Sequence, residues 1–308
     1  FVMKINKIKG TYLSQFLRHY NSRLYPTIHL HTARTFRSSI TDPPFQTIPR
    51  KDKRANKICR GGIIPEKGYG LVDFDYKKAE VCAMACLAKD PILIAEVSNP
   101  AMDMHRDVAS DIFILNKDEI TKELRDMTKN SFVFAEFYGD YYVHAAQNIW
   151  EEINEEDIRL DSEIPILNHL RRRGILEYKD FERHMEKVEY KFWDNLKATN
   201  EWRKGSIVEY YKKHGYATMP TGYRRGGFLN RKQLMNTPVQ NVAFCWLLWS
   251  YARINEIRRK EKWRSKLLGQ IHDSIVGLYH PSERNHVIKT IIKVMTKDIR
   301  EEFDWIIV

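Results

Sequence analysis

The spacing of apolar and polar positions predicts short strands between longer helices. Residues 1–20 have helical spacing, whereas residues 25–32 alternate like a strand that ends at Thr41-Asp42-Pro43-Pro44. A short apolar strand is predicted for residues 71–75, followed by a helix over residues 77–88. These elements indicate an α+β fold.

The second half of the chain is predicted to be mainly helical. Residues 117–215 carry helical patterns and runs of charge, and an apolar helix is predicted over residues 238–258. A short β-type run, residues 269–276, follows it, and residues 281–302 form an amphipathic helix expected to cover the sheet. No internal repeat and no low-complexity linker interrupts this order.

The charge of the chain favours a polyanionic partner. Of its 308 residues, 51 are Lys or Arg and 40 are Asp or Glu, giving a formal net charge of +11. Basic and aromatic residues interleave at Tyr141-Tyr142, at Tyr210-Tyr211 and at Trp202-Arg203-Lys204. This mixture suits a nucleic acid, whose backbone attracts cations and whose bases stack on rings, although most of the aromatics are expected in the core.

The cysteines and the apolar runs indicate a reducing, aqueous compartment. Cys59, Cys82, Cys86 and Cys245 have neither zinc-site spacing nor the density of a secreted scaffold. No apolar run has the length of a membrane span and no signal peptide is visible, so a cytoplasmic location is predicted. Both ends of the sequence suggest a fragment of a longer protein.

Two aspartates are the leading candidates for chemistry. Asp75 ends one β-type run, and Asp273 lies within another. A carboxylate beside a strand is often only a cap or a loop residue. Two of them brought together repel each other unless a cation neutralises them, so the pair predicts a divalent-metal site.

The residues around both aspartates resemble a known family. The stretch from Leu71 to Ile94, with Asp75-Tyr76-Lys77-Lys78-Ala79-Glu80, resembles motif A of the family A DNA polymerases, and His272-Asp273 resembles motif C. This family includes bacterial DNA polymerase I and many phage replicases. The resemblance implies a right-hand polymerase with an antiparallel β-sheet palm, mostly helical fingers and a thumb that is largely absent.

The resemblance also implies a division of the chain. The segment between Gly139 and Gly215 is longer than in typical bacterial members, which predicts a helical insertion within the fingers. The expected parts are a thumb-to-palm helix in residues 1–20, a first palm part with motif A in residues 21–105, fingers with motif B in residues 106–235, and a second palm part with motif C in residues 236–308.

For the reaction, the resemblance implies two-metal phosphoryl transfer by Asp75 and Asp273. Two Mg²⁺ ions about 4 Å apart, with Mn²⁺ as a substitute, would assist attack of a primer 3′-hydroxyl on a deoxynucleoside triphosphate. Ser274 stands where the family often has Glu, and His-Asp-Ser also resembles the single-subunit RNA polymerases. An RNA polymerase and an inactive nucleic-acid-binding relic are therefore the alternatives.

Glu80 favours a DNA polymerase among these alternatives. It lies five residues after Asp75, where the family's Glu excludes a 2′-hydroxyl and where RNA polymerases lack one. Tyr76, in the same motif, is assigned to the nucleotide site with Glu80.

Residues 125–139 resemble motif B, the helix that closes over the incoming nucleotide. Arg125 and Lys129 share a helix face that can hold the triphosphate, and Phe134 and Tyr138 repeat the spacing for contacts with bases. Lys129 and Tyr138 are one residue further apart than the family spacing, so we predict a π-bulge between Lys129 and Phe134. The following Tyr-Gly-Asp-Tyr-Tyr resembles a phage-type subgroup, which implies a bacterial host cytoplasm.

The resemblance implies further contacts. His105 matches a triphosphate contact, and the expected partners are deoxynucleoside triphosphates and primer-template DNA, with no membrane and with the protein as a monomer. Contacts with the DNA are implied for Arg34, Gln46, Arg224, Arg225, Asn236, Gln240 and His272.

Overall fold

The computed structural model describes residues 8–18, 23–48 and 53–308. The chain packs as two compact units: the first comprises Phe1–Ala79 and Gln240–Ile306, and the second comprises Glu80–Val239 and Ile307–Val308. These units reflect packing, and the four-part division expected from the sequence remains a prediction.

The strands of the described part form three small antiparallel sheets. In the first unit β1 pairs with β2, and a three-stranded sheet has the order β3-β7-β6, whereas β4 pairs with β5 in the second unit. The strands are β1 (Thr27–His29), β2 (Ser39–Thr41), β3 (Gly70–Asp75), β4 (Tyr216–Thr218), β5 (Arg224–Gly226), β6 (Lys266–Ile271) and β7 (Ser274–Tyr279).

The three-stranded sheet is fixed by one apolar face. Along β3 the residues alternate, so that Val72 and Phe74 are half-buried while Asp73 and Asp75 are exposed. Ile275 of β7 is fully buried in a cluster with Phe244, Leu247 and Ile254 of one helix and Val287 and Ile291 of another, and Phe74 packs against it. Burial of these side chains holds the sheet against its helices.

The helices of the first unit flank these strands, and one of them continues into the second unit. The long helix Arg231–Lys260 contains the division between the units, after Val239. The others are a π-helical turn Ile8–Leu13 leading into Ser14–Arg18, then Lys53–Gly61, Arg284–Lys293, a π turn Val294–Asp298 and Ile299–Glu302.

The second unit is almost entirely helical. Asp90 connects two parts of it, because its carboxylate accepts from Ile92 N at 3.0 Å at one helix start and from Thr199 N at 2.9 Å on another helix. Its helices are Ala79–Ala88, Pro91–Ser98, Met104–Phe113, Lys122–Thr128, Phe134–Phe137, Tyr142–Glu155, Ile166–Arg172, Tyr178–Asn195, Lys197–Glu201 and Ile207–His214, with π turns Lys129–Val133 and Trp202–Ser206.

Several sequence expectations are confirmed with adjusted ends. The strand expected over residues 25–32 is only Thr27–His29, and the helix expected from Lys77 begins at Ala79, after the positive φ of Lys78. The helix expected over residues 281–302 is interrupted by a π turn, Val294–Asp298. The first and last parts of the helix expected in residues 1–20 lie outside the described residues. No helix of the described part is long and apolar enough to span a membrane.

We expect Ile275→Ala to lower the free energy of unfolding by about 2–5 kcal/mol, because it leaves a cavity in a closely packed core. Ile292→Ala is the matched control, since Ile292 is 49% exposed and its loss should change stability by no more than about 0.5 kcal/mol. Urea unfolding followed by tryptophan fluorescence measures both. Equal effects of the two substitutions would contradict this assignment of the core.

Candidate active site

The two candidate aspartates lie side by side. Asp75 is the last residue of β3 and pairs in register with Ser274, the first residue of β7, while the backbone N–H of Tyr76 donates to the carbonyl oxygen of Asp273 at 3.2 Å. The Asp75 side chain is exposed and that of Asp273 is 24% exposed. Antiparallel pairing therefore brings both carboxylates to one end of the sheet, open to solvent.

This donor set fits a magnesium ion that is shared with a substrate. Mg²⁺ prefers hard oxygen ligands, keeps several waters and commonly takes one or two carboxylates plus phosphate oxygens. Within the described residues no group of three or more His, Cys, Asp or Glu side chains could enclose a metal. Asp75 and Asp273 would thus hold the ions only in part, and substrate oxygens and water would complete the coordination.

Sequence reasoning missed a cation beside this pair. The guanidinium of Arg37 lies 3.7 Å from Asp273 Oδ1 and reduces the repulsion between the carboxylates. Ser274, which occupies the position of the family's third acid, is fully buried and donates to Ile271 O at 3.0 Å. Its hydroxyl closes the β6–β7 turn. Asp73 adds a carboxylate on the same exposed face of β3, two residues before Asp75.

Two of the predicted DNA contacts meet beside the turn. His272 has a positive φ of 54°, is exposed, and its Nε2 lies 2.9 Å from the carbonyl oxygen of Gln46. The side chain of Gln46 donates to Ser38 Oγ at 3.0 Å, and Gln270 of β6 also donates to that hydroxyl. The β6–β7 turn is thereby fastened to the segment that carries Gln46.

The side chain of Tyr76 has a structural role. Its hydroxyl lies 2.8 Å from Ser250 Oγ, its ring lies 6.4 Å from that of Trp246, and burial raises its pKa to about 12. The structure thus directs this side chain into the core of the first unit. The assignment of Tyr76 to the nucleotide site receives no support from its side chain, because the apolar surroundings and the hydroxyl bond already hold it.

The predicted π-bulge in motif B is confirmed. A π turn spans Lys129–Val133, and the N–H of Phe134 donates to the carbonyl oxygen of Lys129, five residues earlier. The inserted residue is absorbed here, so Lys129 Nζ lies 5.3 Å from the centroid of the Phe134 ring. The Phe134 and Tyr138 rings are 6.2 Å apart. Lys129, Phe134 and Tyr138 therefore form one cationic and aromatic face.

Arg125 and His105 extend this face. Arg125 Nε donates to Asp103 Oδ2 at 2.6 Å. Burial tends to raise the pKa of Asp103, but the bond to Arg125 and the positive charge of Arg125 outweigh it and lower this pKa below its ordinary value. Asp103 also accepts from Arg106 N at a helix start. His105 is 3% exposed, with its ring 5.8 Å from that of Phe134. Sequence reasoning missed Asp103, which orients Arg125.

Glu80 is joined to motif B by a hydrogen bond. The hydroxyl of Tyr138 donates to Glu80 Oε1 at 2.7 Å. A residue of motif A and a residue of motif B thus meet. The bond fixes the Tyr138 ring and leaves the carboxylate beside it half-buried.

A buried polar cluster supports the other side of motif B. Glu136 is fully buried, and its Oε2 accepts from Trp193 Nε1 at 2.8 Å and from Arg203 Nη1 at 3.4 Å. The Arg203 guanidinium lies 3.6 Å from the Trp193 ring centroid. Burial and the carboxylate of Glu189 raise the pKa of Glu136 to about 8. Trp193 and Arg203 come from the predicted insertion, which therefore packs on motif B.

A cavity of about 820 Å³ lies within the second unit and includes Trp193, Asn200 and Arg203 in its lining. None of its lining residues is among the residues assigned to the metal, nucleotide or DNA contacts, although Tyr142, Arg203 and Lys204 belong to the basic and aromatic runs noted in the sequence. All the lining residues lie in the predicted insertion, and two of them, Trp193 and Arg203, contact Glu136 of motif B.

The remaining predicted DNA contacts differ in exposure. Arg224 is exposed. Arg225 is only 9% exposed, and its guanidinium donates to Thr237 Oγ1, which connects β5 to the long helix Arg231–Lys260. This burial favours Arg224 over Arg225 for a phosphate contact. Arg34 is exposed, and Asn236 and Gln240 are half-buried.

The described part of the chain combines helices with small antiparallel sheets, as a polymerase domain does. The fold matches the POL domain of Pol1 from M. smegmatis, solved in complex with DNA primer-template and dNTP, with a TM-score of 0.76 at 23% identity, covering 95% of this chain and 48% of that one. The sequence profile of DNA polymerase family A matches residues 2–305, and the chain belongs to this family.

Curated relatives agree with the family. The DNA polymerase I of Borreliella burgdorferi is 26% identical over 309 residues, which cover 95% of this chain and 30% of that protein. The DNA polymerase I of Bacillus subtilis is 24% identical over 294 residues, covering 94% of this chain and 31% of that protein. The chain thus spans less than a third of the length of these relatives.

The raised pKa of Glu136 predicts a pH-dependent stability. Between its ordinary value of 4.5 and its folded value of about 8, the folded chain keeps a proton that the unfolded chain releases, so the free energy of unfolding falls as pH rises across this window. Glu136→Gln removes this titration. We expect urea unfolding to show a smaller decline for Glu136→Gln than for the unchanged chain.

The control for this prediction is Glu186→Gln, which alters an exposed carboxylate in the same unit and should leave the decline unchanged. If Glu136→Gln and the unchanged chain lose stability equally over the window, the assignment of a protonated Glu136 is wrong.

Proposed function

We propose that this chain carries the nucleotide-adding centre of a template-directed DNA polymerase. The observation that carries the proposal is the juxtaposition of Asp75 and Asp273 at one end of the β3–β7 pair, within a chain of family A. The reaction is attack of a primer 3′-hydroxyl on the α-phosphate of a deoxynucleoside triphosphate, with pyrophosphate as the leaving group.

Asp75 and Asp273 are the residues that would hold the divalent metal ions. Two Mg²⁺ ions, or Mn²⁺ in their place, supply charge stabilisation for the attacking and leaving oxygens when bound. Asp75 and Asp273 contribute carboxylate ligands from a rigid sheet edge, and the guanidinium of Arg37 holds Asp273 in place. Strand pairing fixes the backbone at both positions before substrate arrives, which limits the reorganisation needed.

The cationic face of motif B is assigned to the incoming triphosphate. Arg125 offers a planar fork that is oriented by Asp103, and Lys129 offers a point charge beside the Phe134 ring. Phe134 and Tyr138 provide aromatic surfaces for a base pair. His105 keeps its expected triphosphate contact in this proposal, and its buried ring also supports the Phe134 ring.

The Glu80–Tyr138 hydrogen bond supports selection of deoxyribose. Tyr138 holds Glu80 Oε1 at 2.7 Å, so the carboxylate cannot swing away without losing this bond. A fixed carboxylate excludes a 2′-hydroxyl by volume and by the cost of leaving polar groups unpaired. This contact favours a DNA polymerase over the single-subunit RNA polymerase suggested by Ser274, whose buried hydroxyl is engaged in the turn.

The proposal also covers the DNA contacts, the oligomeric state and the location of the protein. Primer-template DNA is the partner, with Arg34, Gln46, Arg224, Asn236, Gln240 and His272 as its contacts; the protein acts as a monomer in the cytoplasm. A phage-type subgroup rests on the residues after Tyr138, whereas the relatives named above are bacterial.

We expect Asp75→Ala and Asp273→Ala, each in the intact protein, to reduce primer extension by at least about 10³-fold, because each removes a ligand of the metals that stabilise the transition state. Binding of primer-template DNA should be largely retained. Single-turnover extension with Mg²⁺ and gel-shift binding measure the two properties.

The matched control is Asp73→Ala, which removes an exposed carboxylate from the same face of β3 that is not assigned to the metals and should leave extension within about twofold. Extension retained by either catalytic variant would refute the metal assignment. An unchanged protein that binds DNA yet shows no turnover with Mg²⁺ or Mn²⁺ would instead identify an inactive relic.

We expect Glu80→Ala to lower the preference for deoxynucleotides over ribonucleotides by at least about tenfold, equivalent to about 1.4 kcal/mol. Extension rates with each nucleotide, measured side by side, give the ratio. Glu80→Gln is the control, since it keeps the volume and the acceptor for Tyr138. Efficient ribonucleotide addition by the unchanged protein would favour the RNA polymerase.

A further inference from the structure

Phe228 is an aromatic side chain that no other part of the described second unit covers. Its relative exposure is 105%, the highest among the large apolar side chains of the described residues. Single exposed apolar residues are common on protein surfaces and indicate no function by themselves. The backbone around Phe228 and the charge of its surroundings distinguish it from such residues.

The hydroxyl of Tyr211 holds the backbone on both sides of Phe228. It donates to the carbonyl oxygen of Gly227 at 2.6 Å and accepts from the N–H of Leu229 at 3.0 Å. Gly227 has a φ of +91°, which a residue with a side chain rarely adopts. The segment is thus a fixed turn, and the Phe228 ring is held in water by a preformed backbone.

The surface around this turn is basic and aromatic. Residues 207–232 contain five exposed Lys or Arg residues and one acid, Glu209, while Arg225 is buried. One of the five, Lys232, pairs with Asp140 at 2.9 Å. The ring of Tyr210 stacks on that of His214 at 4.2 Å, and the Arg224 guanidinium lies 5.2 Å from the Tyr216 ring centroid. His214 and Arg224 are exposed. This excess of positive charge favours a polyanion over an apolar protein groove.

We propose that Phe228 stacks on a base of the unpaired template strand and that the basic surface around it follows that strand's phosphates. Base stacking on an exposed ring beside cations is how proteins bind single strands without reading their sequence. Duplex DNA offers no free base faces along its length, so the ring selects the unpaired part. The inference rests on the proposed function for the identity of the strand.

The experiment measures binding, so that it does not depend on turnover. The intact protein, with EDTA present, is titrated with a primer-template that carries a 5′ template overhang and, separately, with a blunt duplex of the same sequence. Overhangs with 2-aminopurine at successive positions report stacking as a loss of fluorescence. We expect tighter binding of the overhang substrate and quenching at one or two positions.

We expect Phe228→Ala to weaken binding of the overhang substrate roughly 5- to 150-fold, equivalent to about 1–3 kcal/mol for one stacked base, and to abolish the quenching. Phe228→Trp should retain both. Tyr211→Phe should weaken overhang binding to a smaller degree, because it keeps the ring but releases the turn. Binding of the blunt duplex should be unchanged in all three variants.

Two control substitutions test whether binding requires an aromatic ring at this position. Tyr190→Ala removes a side chain that is 76% exposed elsewhere in the second unit and should leave overhang binding unchanged. Phe228→Leu keeps apolar volume without an aromatic face, so it should behave like Phe228→Ala. Full overhang binding by Phe228→Leu would show that no aromatic face is needed at this position and would overturn the proposal.

The result separates this inference from the proposed function. Unchanged overhang binding by Phe228→Ala in a protein that extends primers would refute the stacking site alone. A lack of primer extension by the unchanged protein, with Phe228-dependent overhang binding retained, would refute the polymerase proposal alone.

Discussion

The pairing of β3 with β7 is the constraint on which the candidate site depends. In its register Asp75 faces Ser274, which places Asp273 one residue beyond the pair. A slip by one residue would turn every side chain of β3 to the other face and send Asp75 toward the core. The apolar face prevents this slip, because Phe74 packs against a cluster that contains the fully buried Ile275. Hydrophobic burial therefore fixes the position of two charged groups.

In the second unit, the positions of the motif B side chains depend on the π turn Lys129–Val133. It absorbs one extra residue, so Lys129 lies over Phe134 although five positions separate them. The helix then resumes with Phe134 and Tyr138 on one face and Glu136 on the other, fully buried. The change in helical phase at the π turn thus has two consequences. It brings Lys129, Phe134 and Tyr138 to the face assigned to the nucleotide, and it directs the carboxylate of Glu136 into the interior, where it needs hydrogen-bond partners.

Local features of the sequence were sufficient to predict much of this. The strand before Asp75 follows from the spacing of its apolar residues. The π turn was predicted from the resemblance to motif B, and the single β-type run expected over residues 269–276 is divided into β6 and β7 by the turn at His272 and Asp273. The partners of Tyr76 and Arg225, Ser250 and Thr237, are set by tertiary packing and give no local signal in the sequence. Asp103 and Arg37 were missed because their distant charge partners give no periodic signal.

Glu136 shows why the insertion matters to motif B. A buried carboxylate is costly unless it is neutralised or hydrogen-bonded, and here Trp193 and Arg203 meet one oxygen while a retained proton neutralises the group. Both contacts reach the same oxygen, Oε2 of Glu136, and both are directional, so they favour one rotation of the helix that carries Glu136. Trp193 and Arg203 lie between Tyr142 and His214, so these helices contribute to the orientation of Phe134 on the opposite face of motif B.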